Sequence, residues 1–506
     1  MMSKRPNILF AIADDASHMS AYGHSFLSTP NFDRIAKEGA LFLNAFTVNP
    51  KCAPSRACTL TGRQTWQLEE GCNHFGLFPG KFPVYTDVLE NAGYHVGFTG
   101  KGWCPGDWKR GGRSRNPAGP EYNTRTLTPP GRTKINACDY AANFDDFLAA
   151  RPSGEPFCFW YGGWEPHRPY EIDEGLRSGL EIASVKLPAY WPQDDAVRRD
   201  VLDYANEVQW FDAQLGKMLA RLEEMGELDN TLVVVTSDNG MPFPRVKGQM
   251  YDDDFRLPMA VRPPKGWMAE PGRRVADLVC NLDFAPTFLD AAGVLGGSGA
   301  PSISGVPGSA GTGSTGPDAP LPGMLGRSLL PLLRSCADGY NDPSRNRVFL
   351  GRERHDLGRE NDFGYPVRCI RTPEYLYVWN MACDRWPAGN PETGFTNCDS
   401  SPTKNLILDL NGRGEGKYFD LAFGKRPEEE LYAVSSDHEC LHNLALDPAY
   451  GAVKESLRTE LEAHLRDTED PRMFGKGDIF ETYEYVGAGE HSWKALQEGR
   501  WKKQKF

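Results

Sequence analysis

Residues Asn7–Ala13, NILFAIA, form a continuous apolar run that stops abruptly at Asp14-Asp15. A strand with one wet face would alternate apolar and polar side chains, so an unbroken run fits a strand buried on both faces of a parallel sheet. Similar runs are predicted at 94–99, 156–162 and 231–236. Helical patterns lie between them. Thr29, Pro30, the apolar Phe32, Ile35 and Ala36, and Gly39 read as cap, first turn, buried stripe and stop of one helix, and 86–92 and 196–225 as two more. Strands alternating with helices predict an α/β fold with a large, mostly parallel sheet sandwiched by helices.

Each predicted strand ends in residues that a core would not tolerate. Asp14-Asp15 follows the first, Gly100-Lys101 another, Trp164-Glu165-Pro166-His167 a third and Ser237-Asp238-Asn239-Gly240 a fourth. Ligands collect at the carboxyl ends of strands in such sheets, so one site could gather all four.

The segment 293–323, GVLGGSGAPSISGVPGSAGTGSTGPDAPLPG, is too rich in Gly, Ser and Pro to bury a core and reads as a flexible insertion. It falls within a first domain expected over 1–335. After a helical turn at 328–333, residues 340–506 change to strand-and-turn texture, including Val348–Arg352 and 367–379, with a final helix at 453–467. A smaller α+β domain is expected there, reaching over the pocket of the first.

A net charge of −12 repels polyanions, which argues against a nucleic-acid partner and requires a locally basic pocket for any anionic substrate. The 12 cysteines include no Cys-x-x-Cys, against a zinc knuckle. No apolar stretch approaches the roughly 20 residues of a membrane span. The start, Met-Met-Ser-Lys-Arg-Pro, leaves no room for a signal peptide before the first strand, so a cytoplasmic chain is expected, with a periplasmic or lysosomal one if the sequence is trimmed.

Asp14 and Asp15 would repel each other without a cation or proton between them, and Asp238-Asn239 supplies further oxygens. Alone, each pair reads as a turn or a cap. Together they are an all-oxygen set suited to a hard divalent ion, calcium or magnesium, rather than zinc.

The stretch Cys52-Ala53-Pro54-Ser55-Arg56-Ala57-Cys58-Thr59-Leu60-Thr61-Gly62 resembles, position for position, the Cys-x-Pro-Ser-Arg-x-x-x-Leu-Thr-Gly signature of type I sulfatases of the alkaline phosphatase superfamily. An isolated Cys52 would be read as a small buried apolar residue. The resemblance implies that Cys52 is oxidised to formylglycine by a separate formylglycine-generating enzyme, that Arg56 supports it, and that Asp14, Asp15, residue 52, Asp238 and Asn239 bind calcium. Pro54 suits the first turn of a helix, which would put residue 52 at an N-terminus favourable to an anion. The hydrated aldehyde would attack sulfur through one hydroxyl and expel sulfate by collapse of the other, an escape that a thiol lacks.

Lys101 in Thr-Gly-Lys-Gly-Trp, His167 in Glu-Pro-His-Arg-Pro and Lys247 in Arg-Val-Lys-Gly-Gln match the family's basic residues that hold sulfate and protonate the leaving group. Fixed cations there would stabilise charge growing on sulfate and on the departing atom, and His167 would act as general acid. The chain departs from the common pattern twice, with Trp103 where many members have histidine and with Met241-Pro242-Phe243-Pro244 after Asp-Asn-Gly. The second departure, Pro-His-Arg at 166–168 and the late Glu-Leu-Tyr and Asn-Leu-Ala resemble the heparan N-sulfatase branch.

That resemblance implies hydrolysis of a sulfate ester or sulfamate on a small sugar or oligosaccharide, with N-sulfoglucosamine of heparan-type glycans first. An O-sulfatase, a phosphodiesterase or phosphonate hydrolase on the same scaffold, and a non-catalytic glycan binder remain the alternatives. Trp103, Arg352, Arg354, His355 and Trp386 are expected to contact the sugar, since cations, hydroxyl partners and an aromatic face suit it.

Overall fold

The computed structural model describes residues 5–129, 134–295 and 321–502. Most of the Gly/Ser-rich insertion expected at 293–323 lies outside the described residues. The main sheet consists of β1 (Asn7–Ala13), β2 (Ala40–Phe46), β3 (His95–Gly100), β4 (Phe157–Gly162), β5 (Thr231–Ser237), β6 (Arg256–Arg262) and the short β7 (Arg273–Val275) and β8 (Val279–Cys280). Its order is β8-β2-β6-β5-β1-β4-β3, with β7 also beside β2. Only β6 runs against its neighbours β2 and β5, so the sheet is mostly parallel.

Burial follows the side-chain period of 2. Ile8, Phe10 and Ile12 of β1 enter one apolar layer, whereas Leu9, Ala11 and Ala13 enter the other. The first layer contains α1 (Cys52–Thr61) and α2 (Phe284–Ala291), and its centre is Phe10, 5.0 Å from Trp160 and 5.2 Å from Phe284. The opposite layer is covered by the long helix Asp195–Glu224, capped by Asp194, whose side chain accepts from Ala196 N. Val197, Val201, Ala205, Val208, Leu215 and Leu222 form its buried stripe.

Register aligns the strand ends. Ala13 pairs with Ser237, Ile12 with Gly162, and Gly162 with Gly100, so the polar residues after β1, β3, β4 and β5 emerge along one edge. Backbone hydrogen bonds continue past the strands. Asp238 N donates to Ala13 O, Asp14 N to Glu165 O, and Lys101 N to Gly162 O.

A second, antiparallel sheet joins β9 (Val348–Arg352), β10 (Val367–Arg371), β11 (Leu376–Asn380) and β12 (Glu429–Tyr432) in that order. The predicted 367–379 segment is thus two strands about a tight turn. The helix Gly451–Asp467 covers this sheet through Leu457, Leu461 and Leu465, four residues apart. It is not the last helix, since two short ones follow at Ile479–Thr482 and Trp493–Gln497. The antiparallel β6, RLPMAVR, has no counterpart in the sequence reading. Among the described residues no helix is long and apolar enough to cross a membrane.

Gly100 ends β3 with φ +72°, and a Cβ there would stand 2.0 Å from Gly162 O. Gly100→Ala should therefore destabilise the protein by at least about 1–3 kcal/mol from the strained φ alone, read as a lower urea midpoint. An unchanged midpoint would show that this strand end is not rigid.

Candidate active site

Cys52 is the first residue of α1, which is buried over its whole length. Its Sγ stands 4.0 Å from Asp15 Oδ1. Burial, and then the charge of Asp14, push the Cys52 thiol well above its usual range, so the unmodified side chain is a poor thiolate nucleophile. One turn further, the buried Arg56 ties the helix to two strand ends. Its Nε donates to Asp238 Oδ2 at 2.8 Å and its Nη1 to Lys101 O at 2.7 Å. Ser55 Oγ donates to Asp238 O at 2.6 Å.

Carboxylate oxygens of Asp14, Asp15 and Asp238 lie within 4.8 Å of one another, and all three residues are fully buried. Such proximity is tolerable because cations converge on it. Lys101 Nζ pairs with Asp14 Oδ2 at 2.5 Å, Lys247 Nζ with Asp15 Oδ2 at 2.7 Å, and Arg56 with Asp238. Burial alone would raise the Asp14 carboxyl, but Lys101, His167, Arg56 and Lys247 outweigh it and hold it well below its ordinary value. Asp238 goes the other way, pushed up to about 7 by burial and by the charge of Asp14.

Asp14 Oδ1 and Asn239 Oδ1 are buried without a hydrogen-bond partner. Asn239 Nδ2 donates to Asp15 Oδ1 at 2.7 Å, which pins the amide and leaves its oxygen for another ligand. Unpaired buried oxygens beside three carboxylates are donors for a hard cation, and the residues fit a divalent metal. Asp15 adopts φ +76°, a left-handed conformation that non-glycine residues rarely take and that clusters at functional sites.

His167 brings the general-acid candidate to this cluster. Its Nδ1 donates to Arg168 O at 2.6 Å, which leaves Nε2 facing inward, 3.9 Å from Asp15 Oδ2. Lys247 sits on a tight loop in which Arg245, Gly248 and Met250 have positive φ. Asp254 Oδ2 accepts from Gln249 N, and Arg352 donates to Gly248 O, so the loop is held from two sides. Lys247 Nζ also lies 3.2 Å from Asp399 Oδ2.

Thus Asp14, Asp15, Cys52, Arg56, Lys101, His167, Asp238, Asn239 and Lys247, distant in sequence, meet at one place. Lys101, His167 and Lys247 line a cavity of about 490 Å³ that opens from it. Trp164 and Asp356, also in its wall, fall within runs that the sequence singles out, whereas sequence reasoning missed Lys51, His74, Asp399 and the segment around Tyr485. Lys51 carries the one local signal, its place immediately before Cys52. His74 and Asp399 stand in loops without any pattern.

The five residues expected to contact the sugar do not line that cavity, which is a correction. Trp103 is fully buried beneath α1, its indole N–H donating to Ala53 O at 3.0 Å and its ring 5.2 Å from Phe78. Arg352 and Arg354 turn inward to cap carbonyls, of Gly248 and Pro387 and of Tyr483 respectively. His355, fully buried, donates from Nε2 to Asn49 Oδ1 at 2.7 Å. Trp386 packs on Phe395, with Lys425 Nζ 5.6 Å from its ring. The charged cluster after β9 serves the seam between the two sheets, where buried guanidinium groups satisfy loop carbonyls that nothing else reaches.

Residues 6–294 match the family model described as Sulfatase. The human N-sulphoglucosamine sulphohydrolase is 28% identical over 505 residues, covering 94% of this chain and 93% of that protein. An Ulvan-active sulfatase of Formosa agariphila is 25% identical over 521 residues, covering 94% of this chain and 78% of the other. A structure solved in complex with its substrate D-Glucosamine-2-N, 6-O-disulfate is similar with a TM-score of 0.60 at 21% identity, over 92% of this chain and 99% of that one. The phosphonate monoester hydrolase of Agrobacterium radiobacter is similar with a TM-score of 0.63 at 17% identity, over 92% and 96%. At such identities these two likenesses speak for the fold alone, which is alkaline phosphatase-like. With a family match over more than half its length, the chain belongs to the sulfatase family, hydrolases of sulfate esters and sulfamates.

Proposed function

We propose that this sulfatase releases sulfate from a sulfated sugar, first among them N-sulfoglucosamine of heparan-type glycans, using residue 52 as formylglycine and calcium at the aspartate cluster. The observation that carries the reading is the convergence of Cys52, at a helix N-terminus, on three buried carboxylates ringed by Lys101, Lys247 and His167. The sugar class is supported by the human relative's name and by the wall of the cavity. Trp164, Phe75 and Tyr485 offer ring faces there, and Asp356 and Asp399 offer carboxylates to hydroxyl groups.

Oxidised and hydrated, residue 52 supplies an oxygen nucleophile in place of a thiol. Asp14, Asp15, Asp238, Asn239 and residue 52 would hold calcium, which would supply a Lewis acid for a sulfate oxygen. The chain's own residues do the rest. Arg56 keeps Asp238 in register with the nucleophile helix through its 2.8 Å bond. Lys101 and Lys247 neutralise Asp14 and Asp15. With those carboxylates held by a bound cation, Lys101 and Lys247 would direct their ammonium groups to the oxyanion of the substrate and stabilise charge in the transition state. His167, its Nδ1 fixed on a carbonyl, has Nε2 to give a proton to the leaving oxygen or nitrogen.

The test is sulfate release from sugars sulfated at single known positions, with a small aryl sulfate and a matched aryl phosphonate beside them. Wild type matured in a host that oxidises residue 52 should release sulfate, and Cys52→Ala none, with an unchanged circular dichroism spectrum. Substantial turnover by Cys52→Ala would overturn the nucleophile assignment. Lys101→Ala and Lys247→Ala should each lower kcat by about 10²-fold or more, as for one preorganised charge-stabilising donor; near-native rates remove them from the site. Calcium at about 100 times its Kd should add about 2.7 kcal/mol of stability to the metal-free protein. It is measured as a rise in Tm that Asp14→Asn diminishes, and an unmoved Tm rejects the cation assignment.

A further inference from the structure

The cavity that Lys101 and Lys247 line carries a histidine that the sulfatase chemistry does not use. His74 lines the cavity and is 7% exposed. Its Nδ1 lies 2.8 Å from Asp356 Oδ1, and Lys51 Nζ lies 2.8 Å from Asp356 Oδ2. An ionised carboxylate only accepts, so the Nδ1 position carries the hydrogen. Asp356 is ionised, because Lys51 and His74 overcome its burial and hold its carboxyl well below the ordinary value. The remaining ring nitrogen, Nε2, is buried with no hydrogen-bond partner. Burial pushes the ring's pKa down to about 4, against the pull of Asp356, so at neutral pH the imidazole is uncharged and Nε2 offers a lone pair.

These contacts decide what His74 can recognise. A sulfate or a carboxylate brings no hydrogen to a lone pair, and the neighbouring ammonium of Lys51 is already committed to Asp356. A second anion therefore finds no partner in His74. A hydroxyl does. Asp399, also in the wall, has its Oδ2 3.2 Å from Lys247 Nζ and is already engaged by that ammonium. The cavity thus offers ammonium groups to an oxyanion and, at His74, an acceptor to an O–H donor, which are the two kinds of group that a sulfated sugar presents.

We propose that His74, oriented by Asp356 and Lys51, accepts a hydrogen bond from a ring hydroxyl of the sugar and thereby selects which sugar the cavity takes. The inference rests on the sugar sulfatase reading above and adds the residue that reads the ring. Leaving Nε2 unpaired against an analogue without that hydroxyl costs at least about tenfold in affinity.

The experiment is calorimetric titration of the full chain, loaded with calcium and produced in a host that leaves Cys52 unmodified, so that binding is read without turnover. The probes are glucosamine N-sulfate and its 3-, 4- and 6-deoxy analogues. Wild type should bind one of the deoxy sugars at least about tenfold more weakly than the parent. His74→Phe should bind the parent that much more weakly and no longer tell the two apart. His74→Gln, which keeps an N–H for Asp356 and an oxygen for the sugar, should restore part of the discrimination, which a merely structural loss would not allow. Equal binding of all four sugars by wild type, or full discrimination by His74→Phe, overturns the proposal. If wild type binds none of the sugars this inference falls, while turnover of the aryl sulfate by the matured enzyme decides the sulfatase reading on its own.

Discussion

Three carboxylates packed against one another inside a protein are the constraint around which this molecule is arranged. Asp14, Asp15 and Asp238 are fully buried and would repel one another at these separations, since Coulomb energies grow steeply away from water. Every element nearby answers that repulsion. The helix that begins at Cys52 sends Arg56 to Asp238, the end of β3 sends Lys101 to Asp14, and a tight loop sends Lys247 to Asp15. The same cations that make the cluster foldable are, in the proposed function, the groups that meet an incoming oxyanion. Stability of the site and its chemistry thus rest on one set of charges.

The parallel register explains why residues so far apart in the chain can meet. Ala13 opposite Ser237, and Gly162 between Ile12 and Gly100, bring the segments after four strands to one edge. Buried strands supply the rigidity, and the loops supply the chemistry.

Much of this was legible in the sequence for a physical reason. A strand buried on both faces must be apolar throughout, so NILFAIA and TLVVVTS announce themselves, and their polar stops mark the end of the sheet at which ligands gather. The nucleophile motif is local, and so is its position at a helix start. Most of the cavity wall was not legible. His74 takes its proposed role from Asp356, which is 282 residues away, and neither lies in a periodic segment. The charged run Arg352-Glu353-Arg354-His355 misled because charge in a sequence does not tell surface from seam. Here the guanidinium groups are spent on buried carbonyls and on the pairing of Glu353 with Arg368. The antiparallel β6 was missed because its proline and terminal arginines blur the apolar signal.

The loop of Lys247 is braced from the far side of the molecule. Arg352, at the end of β9, donates to Gly248 O, Arg245 donates to Leu421 O, and Arg371 of β10 pairs with Asp252. The half of the chain that carries Cys52 therefore borrows the posture of one of its own cations from the half that follows. Excising the first half as a minimal catalyst would retain residue 52 and its carboxylates yet release their third counter-ion from its brace. Modularity in this protein ends at that lysine, and any swap of the later sheet for another must bring its own clamp.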